Sequence, residues 1–325
     1  MGARFLQSIA RPNTDFPAGA FPTIDLPVNP LSLVMLNFEL TNTNPAAVLT
    51  YSAIDDLLDN VTSVIIKHKG ENIISGNLRD LLLINMLTAG RRLGWDRLTD
   101  ANAGIRRIQV PLAFGRRVYD PNECFPATSR GNLTLDITRA ANAASFSDVN
   151  LTVETIELIE ANPTRYLKYT PNAQTAVVGQ FDQTLPIGNA YLRLLFFDTA
   201  LATLTTATSS WGQVKLLKDN VEQYYPLSDA QTLAAMLNSQ LGNMGIMPGH
   251  IHLVNAAGAG LEQSDDAKEP VSQGLRGYFQ MDFDPNKDEM YLMETAGAAD
   301  IKIRAVGTSA TAVRVSPVEL VTVKK

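Results

Sequence analysis

Hydrophobic residues in this chain come in short bursts that alternate with polar ones. Two stretches break that rhythm with a helical one. The first runs from Ser63 to Gly90. Val64-Ile65-Ile66 reads as a strand, Lys69-Gly70-Glu71-Asn72 as a turn and Ile73-Ile74 as the returning strand. From Leu78 the apolar positions recur at helical spacing. Leu78, Leu81, Leu82 and Met86 form one face with Asn85 as its polar member, Ser75 or Asn77 serves as N-cap, and Gly90 is the stop. About 150 residues later the order returns: Val214–Leu217 as strand, Lys218-Asp219-Asn220 as turn and Val221–Tyr225 as return strand. Ser228 follows as a cap, and Leu233, Ala234, Met236 and Leu237 as a helical face. The same succession of element types, stated twice at that separation, reads as two homologous domains.

Alternation predicts the other strands. In the first half they are Leu31–Leu40, Arg107–Phe114, Leu133–Ile137 and Asn150–Ile159, with a short strand at Ala46–Thr50 and a helical turn at Ile54–Leu58. In the second half they are Asn189–Phe197, Gly277–Phe283, Ile301–Val306 and Ala312–Val323. Asp120-Pro121 is answered by Asp284-Pro285. Residues 1–30 contain five prolines and predict an N-terminal arm without a long regular element. The first domain is then 31–170 and the second 187–325. Residues 171–186, bounded by prolines, read as the interdomain linker, and 239–275 as an excursion of the second domain. Many strands and at most one substantial helix per half exclude a parallel doubly wound sheet, which needs a helix after nearly every strand. Antiparallel sheets packed face to face fit, as a sandwich or jelly roll, with the strand order left open.

Composition narrows the chemistry. The 325 residues are 45% hydrophobic and only 18% charged, so the surface rests on Asn, Thr, Ser, Gln and Ala. A net charge of -6 argues against extended binding of nucleic acid. Cys124, the single cysteine, excludes an internal disulfide and reads as a buried thiol. No apolar run reaches the roughly 18 residues that span a bilayer. The first residues lack a secretory h-region, and Leu6 stands where a myristoylation signal needs a hydroxyl, so neither leader nor lipid anchor is expected. The nucleophile-elbow, zincin, P-loop and dinucleotide motifs are all missing, and with three histidines the expectation is a protein that is not an enzyme.

Two patterns suggest metal ligands. Asp282, Asp284, Asn286 and Asp288 reproduce the first four ligand positions of a calcium loop, but Lys287 replaces the glycine and Met293 stands at the twelfth position. A capped surface turn is the alternative for that stretch. His250 and His252 could share a strand face near Asp265-Asp266, with no third ligand placed by spacing. The doublets Arg91-Arg92, Arg106-Arg107 and Arg116-Arg117 concentrate positive charge that suits the acidic rim of a neighbouring subunit, the alternatives being lipid headgroups, packaged genome or a solvated face.

Taken with the repeat, two segments carry a resemblance. They are Val110-Pro111-Leu112-Ala113-Phe114-Gly115-Arg116 with Tyr119-Asp120-Pro121, and Tyr278-Phe279-Gln280-Met281-Asp282-Phe283-Asp284-Pro285 with the terminal Val318-Glu319-Leu320-Val321. From about residue 30 onward the chain resembles the double jelly-roll major capsid proteins of tailless icosahedral viruses, bacteriophage type, many of which enclose an internal membrane. The resemblance implies an all-β chain of two tandem eight-stranded antiparallel jelly rolls, each with one short helix. It implies a structural major capsid protein whose pseudo-hexagonal homotrimers tile an icosahedral virion shell. Its partners would be neighbouring capsomers, penton or minor capsid proteins, and a membrane beneath the N-terminal arm, with no specific nucleic acid. The location would be the virion, assembled in the host cytoplasm, and no cofactor is expected, calcium being the one ion the residues suggest. The competing function is a two-domain β-sandwich carbohydrate-active enzyme or glycan-binding protein. That function calls for an aromatic groove, and this chain is 7% aromatic with Trp95 and Trp211 as its two tryptophans.

Overall fold

The computed structural model describes residues 4–43, 53–90, 94–97, 103–142, 146–198, 210–241 and 277–323. These fall into two compact units, one formed by 4–167 with Val323 and the other by 168–241 with 277–322.

In the first unit the elements are β1 (Arg4–Asp15), β2 (Gly19–Ala20), β3 (Ile24–Asp25), β4 (Leu31–Asn42), α1 (Ala53–Asn60), β5 (Ser63–His68), β6 (Glu71–Gly76), α2 (Leu78–Ala89), β7 (Gly94–Arg97), β8 (Ile105–Ala113), β9 (Leu133–Arg139) and β10 (Phe146–Ile159). β11 (Arg165–Tyr169) runs from this unit into the next. One sheet has the order β1-β10-β4-β8-β7, and in the other β6-β5-β9 continues to β2 and β3. Lettered B to I in chain order, with β2 and β3 together as C and β7 outside the count, the sheets read B-I-D-G and C-H-E-F. That is the strand order of a jelly roll.

The second unit holds β12 (Asn172–Thr175), β13 (Gly179–Thr184), β14 (Ala190–Asp198), β15 (Gln213–Lys218), β16 (Val221–Glu222), β17 (Ser228–Asp229), α3 (Ala230–Leu241), β18 (Tyr278–Asp282), β19 (Ile301–Gly307) and β20 (Ala312–Thr322). Its sheets are β12-β20-β14-β18 and β13-β19-β15-β16, again B-I-D-G and C-H-E-F. In both units the helix lies between F and G, where the repeated hairpin-helix pattern places it.

Two expectations are corrected, at equivalent places. The supposed arm supplies strands B and C of the first unit, and the supposed linker supplies B and C of the second. The prolines were misleading because they sit where strands tolerate them. Pro12 lies in the irregular part of an edge strand, within the register shift between Arg11 and Thr14. Pro171 and Pro186 flank β12 and β13 without interrupting either. The helical turn expected at 54–58 is α1, so the first unit has this short helix besides α2. The strand expected at 46–50 lies outside the described residues, and so does the excursion beyond Leu241, where α3 ends.

The helices show why these residues fold as they do. The Asn77 side chain accepts the Asp80 N–H at 2.8 Å, and Gly90, at φ 64°, ends α2 by donating its N–H to the Asn85 carbonyl. Asn85 is the buried polar member of the helix. Its amide donates to the Leu81 carbonyl at 2.7 Å and its oxygen accepts the Ala113 N–H at 2.6 Å, so it ties α2 to β8. In α3 the cap is Asp229 rather than Ser228, because the helix begins one residue later than the pattern suggested. Asp229 Oδ1 accepts the N–H groups of Gln231 and Thr232 at 3.0 and 3.1 Å. Leu233 and Leu237 are buried under α3, whereas Met236 is exposed. The second core closes around Trp211, packed against Phe181, Phe196 and Phe279. Each such fully buried large side chain contributes about 1.5–3 kcal/mol of transfer free energy. Trp211 is therefore unavailable to a ligand.

Candidate functional site

In each unit the long G-to-H crossing is tied to the turns between C and D and between E and F. In the first, Leu31 and Phe125 exchange backbone hydrogen bonds at 2.9 Å each, Thr128 donates to Val28 at 2.9 Å, and Lys69 donates to Asn132 at 2.8 Å. In the second, Tyr191 and Met293 exchange bonds of 2.9 and 3.2 Å, the Gly188 N–H donates to Thr295 Oγ1 at 2.8 Å, and Asp219 donates to Asp300 at 2.8 Å. Asp120-Pro121 and Asp284-Pro285, the landmarks that rhyme along the sequence, both open these crossings. Asp120 Oδ1 accepts the Asn122 N–H at 2.9 Å, and Asp284 Oδ1 accepts that of Glu289 at 2.8 Å. Tyr119, Lys287 and Glu289 hold positive φ angles of 72°, 58° and 65° here, conformations that persist only when the surroundings over-determine them.

Asp282 ends β18, Asp284, Asn286 and Asp288 follow in the second crossing, and a guanidinium is the counter-cation of the first two aspartates. Arg193, on β14, is 5% exposed; its Nη2 stands 3.7 Å from Asp282 Oδ2, and its Nη1 donates to Gln280 Oε1 at 3.0 Å. Burial lowers the Arg193 pKa, and the charges of Asp282, Asp284 and the nearby Tyr225 act the other way. Asp282 Oδ1 also accepts the Asp284 N–H at 3.0 Å, while Asn286 and Asp288 are exposed and Asp288 caps Met290 at 3.0 Å. Asp282, Asp284 and Asp288 thus accept turn N–H groups, with the arginine facing the first two. Among the described residues no group of three or more His, Cys, Asp and Glu could hold a metal ion. His250, His252, Asp265 and Asp266 lie outside the described residues.

The first crossing has its own buried charge. Glu123, 3% exposed, accepts from the Arg116 N–H at 2.7 Å and lies 2.9 Å from Arg116 Nη2 and 3.2 Å from Arg165 Nε. Gly115 fits this joint because a Cβ there would overlap the Glu123 carbonyl oxygen. Two of the doublet arginines have acidic partners within the chain. Arg107 pairs with Glu39 at 3.0 Å and Arg116 with Glu123, both inside the chain, and Arg117 is exposed. Arg91 and Arg92 lie outside the described residues. Cys124 is fully buried, and burial with the charge of Asp120 pushes its thiol up to about 12, so it is inert near neutrality.

Carboxylates also bridge strands of the C-H-E-F sheets. Asp136 on β9 accepts from Lys67 at 2.7 Å and Thr23 at 2.6 Å; Asp182 on β13 receives two bonds of 2.8 Å from Arg304 and lies 3.8 Å from Lys302. These hydrogen bonds hold both carboxyls below the usual range. A depressed carboxylate pKa contributes stability that is present above the unfolded value, near 4, and is lost as pH falls through the folded value. Unfolding midpoints measured from pH 6 down to pH 2 should therefore drop below about pH 4, and Asp182→Asn should flatten part of that slope. An unchanged slope would assign the acid sensitivity to other groups.

A cavity of about 530 Å³ opens between β1 and β3, lined by Ile9, Arg11, Ile24, Asp25, Arg130 and Glu157 among others. Glu157 accepts from Ser8 and Asn29, each at 2.8 Å. Beside it, β1 forms the edge of its sheet with Phe5, Leu6 and Ile9 exposed, and Phe5 meets Tyr119 edge-on at 5.4 Å. Sequence reasoning did not find Arg193, Glu123, Arg165 or this edge. The one available signal was an arginine inside an apolar run, Tyr191-Leu192-Arg193-Leu194.

No protein-family model matches the chain, and no curated protein matches its sequence significantly. Solved structures do match in fold. The major capsid protein of Sulfolobus turreted icosahedral virus superposes with a TM-score of 0.64 at 13% identity, covering 98% of this chain and 97% of that one. The major capsid protein of bacteriophage PM2 gives 0.58 at 12% identity, covering 98% and 99%. The PBCV-1 virus capsid gives 0.55 at 10% identity, covering 98% and 94%. The chain is a double jelly roll, the fold of these capsid proteins, along nearly its whole length.

Proposed function

We propose that this protein is the major capsid protein of a tailless icosahedral virus and acts mechanically rather than catalytically. The observation that carries this is the tandem itself: two jelly rolls with the same strand order and the same F-to-G helix, matched end to end by capsid proteins at identities near a tenth. In this role three chains close a pseudo-hexagonal trimer, and trimers tile the shell. Neighbouring capsomers, with penton or minor capsid proteins, are the partners, and the virion, assembled in the host cytoplasm, is the location. A lipid contact through a free arm at 1–30 finds no support, since Arg4–Asp15 is a strand of the first sheet. Light scattering on the purified chain should give a mass near three times 35.3 kDa, or closed particles visible by electron microscopy. A monomer that persists at high concentration overturns the proposal.

A further inference from the structure

We infer that the segment Phe5–Ile9 of β1 pairs, edge to edge, with the same segment of a second copy across a two-fold axis beside Gln7. The inference rests on the shell role above and names a contact that would join one capsomer to the next.

Proteins blunt open sheet edges with bulges, prolines or charge. In β1 the bulges and the proline are confined to the second half, where the register to β10 slips at Ile9/Arg11 and at Arg11/Thr14 and Pro12 lies within the latter; Arg4 is the one charge of the first half, at its end. From Arg4 to Ile9 the register is unbroken, Arg4 opposite Ile159 through Ile9 opposite Glu154, and the outer edge pairs with no strand among the described residues. Large apolar side chains are nonetheless left in solvent on this half, with Phe5 64% and Ile9 62% exposed. An edge protected where it is bent and unprotected where it is straight fits a strand that is covered after assembly.

The occupant follows from the order of side chains. Phe5, Gln7 and Ile9 share one face, fixed by the 2.7 Å bond from Gln7 Nε2 to Glu154 Oε2, whereas Ser8 bonds to Thr155 and Glu157 on the other. About a two-fold perpendicular to the sheet, an antiparallel second copy sets Gln7 opposite Gln7. Phe5 then lies opposite Ile9 of the other copy, and Ile9 opposite its Phe5. Residues so opposed have Cβ atoms about 4.5–5.5 Å apart, so each exposed apolar side chain covers the other. The segment is self-complementary, which is what an isologous contact requires. Tyr119, against Phe5, widens the apolar patch at each end.

The test uses the full chain with Gln7→Cys. Cys124, the only native cysteine, is buried and inert, so it gives no background. At this position the two new thiols face each other within disulfide reach. Mild oxidation should give a covalent dimer at least about tenfold faster than the Val178→Cys control, whose site is 70% exposed. Adding Phe5→Lys and Ile9→Lys opposes like charges across the axis and should remove that advantage, while melting temperature stays unchanged because both residues are exposed. Cross-linking no faster than the control, or insensitive to the lysine pair, overturns the pairing. Trimers or particles that form without the cross-link leave the shell role standing and reject only this contact, whereas a monomer throughout rejects both.

Discussion

Arg193→Met should destabilise the second unit by about 3–5 kcal/mol, which is the cost of leaving a buried charge without its partner. The guanidinium lies at the start of the G-to-H crossing and is the cation set against Asp282 and the buried Asp284. Methionine keeps much of the volume and removes the charge, so the carboxylates lose their counter-cation. With a urea slope near 2 kcal/mol/M, the loss corresponds to a midpoint about 2 M lower, read on the fluorescence of Trp211 in the same unit's core. Adding Asp282→Asn should recover part of the loss, because the two residues form one network and their effects do not add. A shift below about 0.5 M would mean that solvent already screens the carboxylates, and the assignment of Arg193 as their counter-cation would fall.

Arg193 also shows where the sequence is legible and where it is not. The hairpin-helix units, β4, β8, β9, β10 and the closing strands of the second unit were readable because each is long and alternates, with one face on a core. The Gly90 stop, and the N-cap as one of Ser75 and Asn77, were readable because capping is local chemistry. Strands B and C of both units were not, since an edge strand buries little and tolerates the prolines that signal a break. The Asp282–Asp288 spacing suggested calcium, whereas the guanidinium that faces Asp282 comes from a strand about ninety residues earlier, a distance no local pattern spans. The intrachain partners of Arg107 and Arg116 were hidden for a related reason. Charge density along a chain does not reveal that Glu39 and Glu123 will be adjacent in space.

Glu123→Leu is the counterpart in the first unit, expected to cost about 3 kcal/mol, near the lower end for breaking a buried pair. The lower end applies because Arg165 is one-third exposed and can turn to solvent, whereas Arg116, at 16%, has less freedom. The loss has two sources. The Arg116 N–H, now bonded to Glu123 Oε2 at 2.7 Å, would be left without its acceptor, and two guanidiniums would face each other across an apolar side chain. Glu123→Gln separates them. It keeps an acceptor for the N–H while removing the charge, and should cost about half as much. Arg4→Ala is the contrast: the Arg4–Glu160 pair spans 3.7 Å with both side chains more than half exposed, and such pairs contribute about 0–1 kcal/mol. Denaturant midpoints for the three variants should therefore rank Glu123→Leu lowest, Glu123→Gln between and Arg4→Ala near the parent. If Glu123→Leu matched Arg4→Ala, the joint at Gly115 and Glu123 would be held by backbone fit alone, and the buried charge would have another purpose than stability.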